Sequence, residues 1–164
     1  MILYLLRHAK AIPRQGGIPE EQRYLTSEGR ETFNLNSLHF REGGMKPDLI
    51  LTSPLIRSVQ TAEILACTFG FTGPLLVEPL LAPGFGRSQL RRLLSQHEAI
   101  KELVLVGHEP DLSLLVTSLL GIKVHFTLKK GDLVALEIDD KGKAAFRWRT
   151  YKGDFTDSPL DTKD

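Results

Sequence analysis

Four short apolar runs, at residues 2–6, 49–51, 75–77 and 103–106, punctuate a chain that is otherwise mixed in polarity. Runs of this length, bounded by polar or turn-forming residues, predict strands buried on both faces, as in a parallel sheet covered by helices. The second run is extended by its flanks to residues 47–52. Between the runs the apolar residues change to helical spacing. One helix is expected to start at Thr26 or Ser27, either of which can cap it, and to run through Phe33, Leu35 and Leu38 to about Arg41, before Gly43-Gly44. A second is expected from Leu55 to about Phe69, with Ser53 as its cap and Pro54 in its first turn, burying Ile56, Val59, Ile64 and Leu65. Two more are expected at residues 88–97 and 112–120, the latter opened by Pro110-Asp111 and closed by Gly121.

The stretches between these elements read as loops. Pro13, Gly16, Gly17 and Pro19 break any periodicity over residues 9–26, and residues 79–86 are rich in turn formers. The lone Gly84-Phe85-Gly86 lacks the third glycine of a dinucleotide-binding loop. Residues 133–138 and 144–149 flank Asp139-Asp140-Lys141-Gly142 and predict a β-hairpin. From Lys152 to Asp164 the chain is polar and aperiodic, and a mobile tail is expected. Strands alternating with helices predict an α/β fold: a three-layer α/β/α sandwich with a mostly parallel central sheet and a C-terminal antiparallel hairpin. The length, 164 residues, suits one domain over residues 1–151 with the tail at 152–164.

In open α/β sheets, ligands collect outside the carboxyl ends of the strands. Arg7-His8 follows the first strand, Arg57 sits in the first turn of the helix after the second, and Gly107-His108 follows the fourth. Alone, an Arg-His pair is only the first polar pair after a buried strand. If the strand ends are neighbours, two guanidiniums and two imidazoles converge. Guanidinium forks match the oxygens of a phosphoryl group, and a neutral imidazole nitrogen can attack phosphorus. A cation in a first helical turn is unfavourable for the helix itself, which points Arg57 towards a bound anion.

Composition narrows the alternatives. The net charge of +1, with no basic stripe, gives nucleic acid binding no electrostatic support. Cys67, the only cysteine, lies in a helical apolar pattern and is read as a small core residue. The apolar run before Ala9-Lys10-Ala11 is too short for a secretory signal, and no stretch is long enough to span a bilayer, so a cytoplasmic protein with no membrane partner is expected. No carboxylate or histidine cluster has metal-ligand spacing, since His108-Glu109 lacks the second histidine a zinc helix needs; no metal or other cofactor is expected. His39, His97 and His125 match no motif and are read as surface or structural, and Arg14 as a solvated loop charge.

Four segments in order, Leu6-Arg7-His8-Ala9-Lys10, Leu25-Thr26-x-x-Gly29, Ser53-Pro54-x-x-Arg57-x-x-Gln60-Thr61-Ala62 and Val106-Gly107-His108-x-Pro110, together resemble the histidine phosphatase superfamily, the phosphoglycerate-mutase-like enzymes. The compact length and the Arg-x-Leu-Thr segment at residues 23–26 are most similar to its SixA-type phosphohistidine phosphatases. The resemblance implies that His8 is the nucleophile, that Arg7, Arg57 and His108 bind the transferring phosphoryl group, and that Arg23 lies near the pocket. It also implies a metal-independent reaction. One departure stands out: the larger relatives carry a general-acid carboxylate after the third strand, and residues 78–84, Glu-Pro-Leu-Leu-Ala-Pro-Gly, have no acid at the matching place. Glu78 and Glu109 are the possible substitutes, although Glu109 reads more simply as an exposed loop carboxylate. The expected activity is hydrolysis of phosphohistidine on a partner protein. The alternatives are a phosphomonoesterase for a small phosphate ester and an inactive module that binds phosphoprotein.

Overall fold

Each of the four apolar runs is a strand in the computed structural model, which describes residues 1–123 and 126–159. They are β1 (Ile2–Arg7), β2 (Leu49–Thr52), β3 (Leu75–Val77) and β4 (Glu102–Gly107), followed by β5 (Leu133–Ile138), β6 (Ala144–Tyr151) and β7 (Asp154–Thr156). All seven join one sheet in the order β3-β2-β4-β1-β5-β6-β7. The β3-β2-β4-β1 part is parallel, and the pairings of β1 with β5, β5 with β6 and β6 with β7 are antiparallel. The fold is the expected mixed α/β sandwich.

Period-two alternation distributes the sheet's side chains between two cores. Leu3, Leu5, Leu49, Leu51, Leu103 and Leu105 pack on one face with Leu90 and Leu93 of α3 (Arg87–Gln96) and Leu112, Leu115 and Val116 of α4 (Asp111–Leu120). Tyr4, Leu6, Ile50, Val104 and Val106 pack on the other with Phe33 of α1 (Ser27–Asn36) and Ala62 and Leu65 of α2 (Ile56–Phe69). A strand buried on both sides has to be apolar at every position, which is why these runs read as continuous rather than alternating.

Several local expectations are corrected. Helix α2 begins at Ile56, directly after its N-cap Leu55, and Ser53 does not cap it. Ser53 instead prolongs the pairing of β2, its N–H donating to the Val106 carbonyl at 3.0 Å. The inward positions of α2 are Arg57, Ser58, Thr61, Ala62 and Leu65, so Ile56 and Cys67 fall on the opposite side of the helix and are exposed. Helix α1 is capped by Thr26, whose Oγ1 accepts from Gly29 N–H at 2.9 Å, and passes into a 3-10 turn at Ser37–Arg41 in which Phe40, not Leu38, is buried. The ordered sheet does not stop at residue 151: β7 occupies residues expected in a tail, because the buried Asp132 carboxylate accepts the N–H groups of Lys152 and Gly153 at 2.8 and 2.9 Å and fixes the turn that returns the chain. His125 and residues 160–164 lie outside the described residues. No helix among the described residues is long and apolar enough to cross a membrane.

Candidate active site

Strand register brings the predicted residues together. Arg7 lies opposite Gly107 and Thr52 opposite Val106, so β1, β4 and β2 end level with one another at the centre of the sheet. His8 N–H continues the ladder to the Gly107 carbonyl at 3.1 Å. The alternation that places Leu6 and Val106 in the α1–α2 core carries His8 and His108 to the same side, and their ring centroids are 5.4 Å apart. From that side α2 delivers Arg57.

The hydrogen bonds of His8 define its tautomer. Its Nδ1 lies 2.7 Å from the Ala9 carbonyl oxygen, which can only accept, so Nδ1 carries the proton and Nε2 the lone pair. Arg57 donates to that lone pair from Nε at 3.2 Å. The remaining Arg57 donors reach Glu20: Nη1 to its main-chain oxygen at 2.7 Å and Nη2 to Oε1 at 3.0 Å. Arg23 Nη1 joins the same Oε1 at 2.8 Å, and the exposed Arg14 grips the carboxylate from outside. Arg14 is therefore paired rather than merely solvated.

Across the pocket, His108 Nε2 shares a hydrogen bond with Ser53 Oγ at 2.7 Å. When Nε2 accepts the hydroxyl proton, Nδ1 is a donor, and it is buried without a protein partner. Arg7 gives Nη1 to the Leu128 carbonyl at 2.8 Å, while its buried Nε likewise has no partner. Two unspent donors in the cluster that holds the His8 lone pair suit an oxyanion. Burial holds the rings neutral: the His8 pKa is lowered to about 3 and that of His108 to about 4. Desolvation of the charged form is the main cause for both, and the nearby arginines push the same way.

The frame around these groups explains the spacing of the segments. Thr61 Oγ1 accepts from Ala9 N–H at 3.0 Å and donates to the Arg57 carbonyl at 2.7 Å, tying the residue that orients His8 to the turn that carries Arg57. Gln60 Oε1 accepts from Leu25 N–H at 2.8 Å and anchors the loop of Glu20 and Arg23. At Gly29 a Cβ would stand 2.2 Å from the Lys10 carbonyl oxygen, so only glycine lets α1 approach the segment after His8.

A model of the histidine phosphatase superfamily (branch 1) matches residues 3–82. An uncharacterized protein of a Picosynechococcus species is 34% identical over 140 residues, covering 83% of this chain and 84% of the relative. The chain belongs to the histidine phosphatase superfamily. Among solved structures of similar fold, the protein histidine phosphatase SixA complexed with tungstate has a TM-score of 0.81 at 21% identity, over 93% of this chain and 97% of the other. The α-ribazole phosphatase of Shigella flexneri has a TM-score of 0.72 at 20% identity, over 100% of both chains.

Within this histidine phosphatase, Arg7, His8, Arg57 and His108 form one cluster, with Arg23 joined to it through Glu20. The two possible acids separate. Glu78 follows β3 at the sheet edge and spends its Oε1 on Leu80 N–H at 2.9 Å, capping a 3-10 turn at Pro79–Leu81. Glu109 is not an exposed loop carboxylate: it is half-buried, accepts Ser113 N–H at 3.1 Å, and its pKa is raised by desolvation, with Arg7 among the groups that oppose the rise. His39 pairs with Glu42 on the surface, and His97 ends α3. Among the described residues no group of three or more His, Cys, Asp or Glu side chains is placed to hold a metal ion. Glu20, Ser53 and Thr61 are the site residues that motif reading does not assign. Ser53 and Thr61 lie inside a quoted segment, so their presence was visible but not their bonds. Glu20 carries no signal beyond its spacing of three from Arg23.

Proposed function

We propose that the protein is a phosphatase that passes a phosphoryl group through His8 to water, and that its substrate is phosphohistidine on a partner protein. The observation that carries the first part is the state of His8: a neutral ring whose Nδ1 proton is committed to Ala9, leaving Nε2 as a lone pair beside Arg57. Nε2 attacks phosphorus, the bond from phosphorus to the leaving group breaks, and the electron pair departs with that group. Arg57, Arg7 and His108 Nδ1 take the equatorial oxygens and their growing charge. Water then attacks phosphorus, the P–N bond breaks with its electron pair returning to Nε2, and phosphate leaves carrying the oxygen of water, one water proton passing to solvent.

Similarity to a protein histidine phosphatase supports the second part, and so does the leaving group's chemistry. A phosphohistidine protonated on its ring expels neutral imidazole and needs no acid. Hydrolysis of a small ester is the second reading. It is favoured by the likeness to an α-ribazole phosphatase and by the proton-holding tendency of Glu109.

The test is single-turnover incubation with a labelled phosphohistidine protein, quenched without acid. Label is expected on His8, and His8→Ala is expected to abolish both label and turnover. Near-normal turnover by His8→Ala would reject the mechanism, and a strong preference for alkyl esters over the phosphohistidine protein would reject the substrate.

A further inference from the structure

We propose that Glu20 is the resident anion of the phosphoryl site, displaced when a phosphoryl group binds and returning as phosphate leaves, so that it sets how weakly product is held. This rests on the phosphatase reading. The carboxylate already makes the bonds an incoming anion would seek. One oxygen, Oε1, takes Arg57 Nη2 at 3.0 Å and Arg23 Nη1 at 2.8 Å, on the guanidinium whose Nε touches the His8 lone pair. It also lies near enough to His108 to act on that ring's titration, opposing the arginines.

The alternative is that Glu20 exists to hold Arg57 in place, and the geometry argues against it. Arg57 is anchored by the main-chain oxygen of Glu20 at 2.7 Å, a bond that any side chain at position 20 leaves intact, and the arginine is itself only 4% exposed. The carboxylate, by contrast, is over a third exposed and has somewhere to go: the exposed Arg14 already holds its Oε2 at 3.1 Å. Arg14, Arg23 and Arg57 carry three positive charges against this one carboxylate. A phosphoryl dianion, with more charge and more acceptor oxygens, outcompetes a single carboxylate for them. Once hydrolysis is complete, the tethered carboxylate is present at high local concentration and reclaims the arginines.

The test is calorimetric titration of inorganic phosphate into the full chain at pH 7.5 and low salt, comparing wild type, Glu20→Gln, Glu20→Ala and Arg57→Ala. Removing a partly exposed competing charge is expected to tighten phosphate binding about twofold to fivefold in both Glu20 variants. Phosphate inhibition of turnover should tighten in parallel. Arg57→Ala should lose most of the binding. Unchanged or weaker phosphate binding in both Glu20 variants, with the Arg57 dependence intact, would overturn this proposal alone. Absence of any Arg57-dependent binding in wild type and variants alike would overturn it together with the phosphatase reading.

Discussion

Two buried neutral imidazoles make the fold sensitive to mild acid, and the sign and size of the effect follow from the site. His8 and His108 each move from an ordinary value of 6.5 down to about 3 and about 4 in the folded protein. A base with a lowered native pKa costs nothing above 6.5. Below it, the unfolded chain binds a proton that the folded chain refuses, so stability falls with pH until the native value is reached. One pH unit corresponds to about 1.4 kcal/mol, so the interval from 6.5 to pH 5 costs about 2 kcal/mol per ring and about 4 kcal/mol for the pair. Glu109, with a raised pKa, acts in the opposite direction by taking its proton first in the folded state. Comparison between variants removes that contribution. Urea unfolding at pH 7, 6 and 5 should show wild type losing about 2 kcal/mol more than His108→Gln over this interval, with a similar difference for His8→Gln. Parallel stability curves for all three proteins would mean that the folded rings titrate as they do in the unfolded chain, and the burial argument for their lowered pKa values would be refuted.

Thr61→Val keeps the shape of the side chain but leaves the buried Ala9 N–H without its acceptor, 3.0 Å away in the wild type. The expected cost is about 1–3 kcal/mol in urea unfolding, with kcat reduced more than KM is changed, because Ala9 sets the His8 tautomer; unchanged kcat would show that Thr61 only supports the fold. Glu109→Gln should leave turnover of a phosphohistidine protein nearly intact and slow an alkyl phosphate ester by about 10²–10⁴-fold, as loss of a general acid does. Equal loss on both substrates would assign Glu109 to its bond with Ser113 and not to proton transfer.

The parallel core and the convergence of Arg7, His8, Arg57 and His108 were legible because they depend on short-range rules. Apolar runs between helical spacings place β1 to β4, and strand ends in such sheets present whatever polar residue comes next, here Arg7, His8 and His108. The failures are of another kind. Whether Ser53 caps a helix or holds His108 depends on a neighbouring strand 55 residues away in sequence. Ile56 and Cys67 face outward despite their apolar character, because the helical phase is set by Arg57, Ser58 and Thr61 turning inward towards the site. Strand β7 is invisible to periodicity, being three residues that follow a turn held by the buried carboxylate of Asp132, just before β5. Glu20 sits in a loop whose composition says only that it is a loop.

The resting arrangement also constrains the order of events. The lone pair of His8 Nε2 is capped by the N–H of Arg57, and a capped lone pair is a poor nucleophile. Arg57 cannot simply withdraw, since it is buried and its Nη1 is fixed to the main chain at Glu20. What can change is the acceptor. In the proposed mechanism a phosphoryl oxygen arriving beside Nε2 would offer the guanidinium a negatively charged acceptor in place of a neutral nitrogen, adding the attraction of an ion pair to the hydrogen bond. The N–H of Arg57 would then move by a small rotation from nitrogen to oxygen, uncovering the lone pair only when phosphorus is in place to receive it. Burial does most to keep the imidazole unprotonated and the arginines add to it, so in the proposed mechanism the ring would meet the phosphoryl group already neutral, and binding would only have to free its lone pair.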